Sequence, residues 1–193
     1  VRNHVATISG LAQGSNYFFR AVSTAGERQS VQACEFTTII TLTTTQLFGF
    51  SQIWAYQTNN LDGTAWKTTT YDDSDWLGRG RALLYVENNT SVRPKGTALP
   101  PSYGLPIPVT YYFRTHFDFS GSTVGNTFVL SNYIDDGAVF YLNGTELYRL
   151  RMPLAPAPIA NNTAATAKPC DGDAVTTCRD VFYVGGSLLQ AED

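Results

Sequence analysis

Charge is scarce in this chain: 15% of its 193 residues are Asp, Glu, Lys or Arg, with three lysines and two histidines among them and beside them. Sixteen acidic against 13 basic side chains give a net charge of −3, which excludes the Lys/Arg excess of a nucleic-acid-binding face. No run approaches the roughly 18 consecutive apolar residues of a membrane helix, so no membrane span is expected. Intrinsic disorder is excluded too, because 43% apolar residues at so low a net charge suffice for a core. Signatures of hydrolysis are missing: there is no Gly-x-Ser-x-Gly, no His-Glu-x-x-His and no phosphate-cradling glycine loop, and two histidines cannot fill a His-rich metal site. Capped helical periodicity is missing as well, apart from one short turn around Ser74 to Leu77. What is present is 13% aromatics and 24 threonines, a composition suited to half-buried pleated surfaces. The fold class expected is all-β.

Only three cysteines occur. Cys170 and Cys178 bracket the polar loop between them, and a disulfide there would close a short ring worth roughly 2–3 kcal/mol. Neither His4 nor His116 lies at ligand spacing from this pair, so a disulfide is favoured over a metal site. Cys34 is left over, and is expected to be a small buried residue at the start of a strand, the other reading being an intermolecular bridge or reactive thiol. Asn-x-Ser/Thr triplets begin at Asn88, Asn89, Asn143 and Asn161, each in a loop or turn, and are candidate N-glycosylation sites. Val1-Arg-Asn-His4 does not open a signal peptide, and the chain is expected to be a piece of a longer polypeptide.

Residues 1–38 carry three strand signals, at Val5–Ile8, Asn16–Val22 and Gln32–Thr37, separated by turns at Gly10, Gly14 and Gly26. Three strands cannot cover both faces of their own sheet. The order Gly10-Leu11, Tyr17-Phe-Phe-Arg20-Ala-Val22, Phe36-Thr-Thr38 resembles the last three strands of a fibronectin type III domain. The resemblance implies that the Tyr17 hydroxyl locks the corner. It also touches the entry domain of purple acid phosphatases, whose metal-binding segments have no counterpart here. Residues 39–48 are an uncharged β-prone stretch, a linker or a first strand, expected to be paired because such a segment aggregates when bare.

From residue 49 to 193 a second β unit follows. Val109, Tyr111, Phe113, Phe117 and Phe119 alternate onto one face, read as core, against Tyr112, Arg114, His116 and Asp118 on the other. Asn143-Gly144 supplies the two positive-φ residues of a type I′ hairpin, which would pair Leu142 with Thr145, Phe140 with Leu147 and Val139 with Tyr148. Two stretches, 87–108 and 153–180, read as long ordered loops. Trp66, the turn Asp72-Asp-Ser-Asp-Trp76, Tyr112-Phe-Arg114 and Asp135-Asp-Gly137 running into Asn143-Gly144 together resemble the galactose-binding-like jelly rolls of secreted multidomain proteins. The resemblance covers about 49–190 and implies a two-sheet β-sandwich, here lacking its last strand, whose role is non-catalytic carbohydrate or surface binding.

Sugar recognition needs ring faces beside hydrogen-bonding groups. Trp54 and Trp76 are expected in the core, and Trp66, Tyr103, Arg151 and Asn60 are the candidates for exposure and binding. Asp72, Asp73 and Asp75 in one turn, and the adjacent Asp135 and Asp136, are candidate ligands of a structural calcium ion. The alternative is structural: a capped turn before Trp76, and one acid of the second pair bonded to Arg114 while the other caps the turn before Gly137. Adjacent strand residues point to opposite faces, so Asp135 and Asp136 are not expected to share a centre. Asp171 and Asp173 read as solvated loop acids.

These features lead to a non-catalytic extracellular module of a larger secreted protein, binding carbohydrate or a cell-surface polymer, with no certain cofactor. The alternative is a structural or adhesive subunit joined to neighbouring copies through exposed β-edges.

Overall fold

A computed structural model describes residues 5, 7–39, 43–87, 92, 94–101, 105–123, 125–170 and 172–186. The expectations for His4, Asn88, Asn89, Tyr103 and Asp171 fall outside these residues. The chain is all-β: eleven strands are found and no α-helix among the described residues. Among the described residues no helix is long and apolar enough to cross a membrane. It divides into two compact units, Val1–Thr45 and Gln46–Asp193.

The first unit is a two-stranded ribbon, β1 (Asn16–Ala25) paired antiparallel with β2 (Arg28–Thr37) in continuous register from Asn16↔Thr37 to Ala25↔Arg28. Gly26, at φ +60°, makes the turn. The Tyr17 hydroxyl accepts a hydrogen bond from the Ala12 amide at 2.7 Å, tying the loop before β1 to the start of the strand. The strand expected at Val5–Ile8 does not form: residues 5 and 7–9 have no strand partner, and Val5 and Ile8 are exposed. Cys34 is exposed as well, not buried, because neither face of the ribbon is covered by another strand.

In the second unit, β3 (Ile53–Gln57) lies between β4 (Gly78–Arg81) and β7 (Tyr112–Arg114), both antiparallel to it. A short parallel pair, β5 (Leu84–Tyr85) with β6 (Thr97–Ala98), interrupts the loop expected over 87–108. β8 (Thr127–Asn132) pairs with β11 (Asp180–Gly185), and β9 (Ala138–Leu142) with β10 (Thr145–Leu150). Residues 39 and 43–48 are not in a strand. Phe48 sets its ring against Trp54 and Phe117, while Ile39 and residues 43–46 are exposed, so the expected pairing of this stretch is not found.

The core lies on the inner face of β4–β3–β7. Ala55, Leu61, Trp76 and Tyr112 are buried there, with Trp66 and Tyr71 packed against them. The segment 58–77, which has turns but no strand, forms this cover. Trp76 is therefore core as expected, while Trp54 is half-buried on the opposite face of β3. Along 109–113 the buried side is that of Tyr112, which is 7% exposed, whereas Val109 and Phe113 are 64% and 36% exposed. The less hydrophobic face is buried with its polar ends satisfied: Arg114 donates to Asp73 and to carbonyls of the cover, and the Tyr112 hydroxyl accepts from the Asn161 side-chain amide. Phe117 is half-buried, stacked at 5.9 Å on Phe128 of β8 and packed against Phe48.

The hairpin forms where the sequence places it. Asn143 and Gly144 have φ of +49° and +83°, and Leu142 faces Thr145. Beyond that pair the expected register fails, since Tyr148 opposes Phe140 and Arg149 opposes Val139. One extra residue, Leu147, is accommodated as a bulge. The bulge brings Phe140 and Tyr148 side by side onto Phe182 of β11, at 4.8 and 4.4 Å between ring centroids. Replacing Gly144 by Ala should lower stability by about 1–2 kcal/mol, since a Cβ is disfavoured at this φ. Urea unfolding would read this as a lower midpoint at unchanged slope, and an unchanged midpoint would mean the turn is not held in this conformation.

Candidate functional site

The register of the three-stranded sheet places Arg79 of β4, Ala55 of β3 and Arg114 of β7 in one row across the inner face. Ala55 is 1% exposed, and its small side chain leaves room for a carboxylate between the two long neighbours. Asp73 occupies that room. Its Oδ1 accepts from Arg79 Nη2 at 2.5 Å and its Oδ2 from Arg114 Nε at 3.1 Å. The remaining donors of Arg114 reach the carbonyls of Trp66, Thr68 and Tyr71, so one guanidinium holds the covering segment at three further points. The His116 imidazole lies 3.8 Å from the same carboxylate, on its exposed side.

The acids of this turn are thereby separated in role. Burial alone would raise the pKa of Asp73, but the hydrogen bonds and charges of Arg79 and Arg114 outweigh it and hold the group below its ordinary 3.8. Asp72 is held low chiefly by the Ser74 amide, which donates to its Oδ1 at 2.9 Å as in an Asx turn. Asp75 is exposed. Two guanidinium groups already neutralise Asp73. Among the described residues no group of three or more His, Cys, Asp or Glu is arranged to hold a metal ion.

A second arginine organises the other acidic pair. Arg151 bonds both oxygens of Asp180 at 2.9 and 3.0 Å, and donates to the carbonyls of Asp136 and Ile134. Neither Asp135 nor Asp136 reaches Arg114, contrary to expectation, because Asp73 occupies that guanidinium. Asp135 Oδ2 accepts the Ala174 amide at 3.0 Å, which docks the loop closed by the Cys170–Cys178 disulfide. Asp135 and Asp136 both precede β9 and lie outside its alternation. Burial, then the charges of Asp136 and Asp173, raise Asp135 above its ordinary value despite the Ala174 bond. Gly137 is required at this junction: a Cβ there would press on the Arg151 carbonyl, Met152 and Ala165.

The residues expected to bind sugar are not assembled. Trp66 is half-buried in an aromatic cluster, edge-on to Tyr112 at 5.0 Å and to Tyr141 at 5.6 Å. The polar head of Arg151 is consumed by Asp180 and two carbonyls. Asn60 is exposed, but its side chain caps the Asp62 amide. Of the candidate glycosylation sites, Asn143 is exposed at its turn, whereas Asn161 donates its side-chain amide to the Tyr112 hydroxyl at 3.2 Å.

A different surface emerges on the outer face of β4–β3–β7, and it was not read from the sequence. Gly78, Tyr56 and Phe113 form a row across the three strands. The hydroxyl end of the Tyr56 ring lies over Gly78, where any Cβ would collide with it. Phe113 is exposed beside it, and Tyr111, two residues back, holds its ring within 16° of parallel to that of Phe113 at 6.3 Å. The Tyr111 hydroxyl donates to the Pro100 carbonyl. Leu105, Ile107 and Val109, in the segment leading to Tyr111, are exposed as well. Gly78 and Gly80 within a strand were the available signal, since glycine there marks the close approach of another group.

Removing the Asp73 carboxylate should be costly. Asp73→Ala leaves the Arg114 guanidinium, whose side chain is 9% exposed, without its counter-charge, and breaking such a buried pair costs about 3–5 kcal/mol. The two perturbed acids also give opposite pH dependences. Stability from Asp73 is complete above pH 3.8 and falls as pH drops through its lowered folded pKa. Asp135 favours the protonated form, so its contribution is complete below 3.8 and is lost as pH rises through its raised folded pKa. Denaturant midpoints measured across this acid range should therefore show a shallower acid loss in Asp73→Asn and a smaller decline on the rising side in Asp135→Asn. Parallel shifts of the whole profile in both variants would contradict these assignments. No family model, curated protein or solved structure matches this chain.

Proposed function

We propose that the chain is a non-catalytic extracellular module that binds carbohydrate or a neutral surface polymer, built on a galactose-binding-like β-sandwich. The observation that carries this reading is the outer face of β4–β3–β7, where the Tyr56 ring reaches over Gly78 beside the exposed ring of Phe113 and the nearly parallel ring of Tyr111. The row Gly78, Tyr56, Phe113 contains no charged side chain. Ring faces of this kind receive the CH groups of a pyranose, while hydroxyl and amide groups at the rim satisfy its hydroxyls. Thr97, set over Gly80, and Gln52 and Thr115, bonded to each other, are polar groups at the ends of the same sheet. The Cys170–Cys178 disulfide supports an oxidising, extracellular setting.

The ribbon β1–β2 is read as the closing part of a fibronectin type III-like sandwich. The Tyr17 hydroxyl, bonded to an amide five residues upstream, supports that reading. Polymer binding is assigned to the second unit alone.

Affinity electrophoresis through gels containing neutral polysaccharides tests the proposal. Wild-type chain should be retarded, and Phe113→Ala and Tyr56→Ala should each weaken retardation about tenfold, equivalent to about 1.4 kcal/mol. Phe113→Ala should leave the thermal midpoint unchanged, because its ring is exposed. Trp66→Ala should instead destabilise by about 2–3 kcal/mol, since its ring packs in the core cluster. Free migration of the wild type in every polysaccharide, or retardation indifferent to Phe113 and Tyr56, overturns the reading.

A further inference from the structure

The two faces of the β1–β2 ribbon differ. One carries Tyr17, Phe19 and Phe36, whose rings already pack on one another at 5.8 and 6.2 Å. The other carries Phe18, Arg20 and Val22 of β1 opposite Glu35, Ala33 and Val31 of β2, directly paired and therefore on the same side. Phe18 is 78% exposed, and Val22 and Val31 about half, so this face has no internal packing to offset its contact with water. A two-stranded ribbon with no further cover is marginal in stability.

Two charges decide what fits this face. Arg20 and Glu35 sit among the apolar residues, one on each strand and one step apart in register. Among the described residues neither has an ion-pair partner within the chain. A surface with one cation and one anion at such positions is complementary to itself. Under a two-fold rotation each Arg20 meets the Glu35 of the other copy, while Phe18, Val22, Val31 and Ala33 close the apolar centre. A partner of single-sign charge would leave one of the two groups buried without a counter-ion.

We infer that this face joins the chain to a second copy of itself through reciprocal Arg20–Glu35 pairs around Phe18, Val22 and Val31. The interface is independent of the polymer-binding surface, which lies on the other unit.

Sedimentation velocity over about 1 to 100 μM chain, the range in which an association of this size reads out, tests the inference. The Cys34→Ser form serves as background, so that the exposed thiol on the opposite face cannot supply a covalent dimer. The background protein should dimerise reversibly. Arg20→Glu and Glu35→Arg should each raise the dissociation constant at least about tenfold. The double variant, with the charges exchanged, should return to within about threefold of the background. Phe18→Ser should weaken association without charge change, and unfolding of each variant by circular dichroism controls for loss of the ribbon. A monomer throughout the range, a dimer indifferent to these substitutions, or a double variant no tighter than the single ones overturns the inference.

Discussion

Backbone carbonyls that lie outside strands and helices still need donors, and in the second unit three arginines supply them. Arg114 joins Asp73 to the carbonyls of Trp66, Thr68 and Tyr71. Arg149 joins Glu146 to those of Pro153 and Ala157, and Arg151 joins Asp180 to those of Ile134 and Asp136. Each carboxylate fixes and neutralises its guanidinium, and the free arms of the fork then hold a loop. The arrangement follows from the guanidinium's five planar donors, which a lysine ammonium could not distribute in this way. In a chain with long irregular segments and no described helix, these forks replace the hydrogen bonds that regular structure would provide.

The same constraint explains which surfaces remain available. Asp73 is engaged by Arg79 and Arg114, Asp72 and Asp135 by the Ser74 and Ala174 amides, and Arg151 by Asp180 and two carbonyls, while Asp75 stays exposed. What is left on the outer face of β4–β3–β7 is an aromatic row resting on glycine, a surface suited to an uncharged ligand. The ribbon of the first unit, which has no such fork, keeps Arg20 and Glu35 exposed on one face.

Much of the chain was legible locally. The Asn143-Gly144 turn, the Cys170–Cys178 disulfide, the ribbon strands and the burial of Trp76 each depend on residues close in sequence or on a strong intrinsic preference. The register beyond the turn was not legible, because the bulge at Leu147 is set by the fit of Phe140 and Tyr148 onto Phe182, more than thirty residues away. Nor was the strand at Val5–Ile8 refuted by its own residues, since its pattern is strand-like and only the lack of a neighbour removes it.

The sequence by itself determined the class of the fold and where the chain turns, because strand propensity, alternation and positive-φ residues act over a few positions. It also determined that two faces alternate along 109–119. Which of those faces is buried was decided only in the tertiary structure, when Asp73 settled between Arg79 and Arg114 over Ala55. Once that buried carboxylate had its two counter-charges, Tyr112 and Arg114 were held inward, and Tyr111 and Phe113 were turned out to form the candidate binding surface.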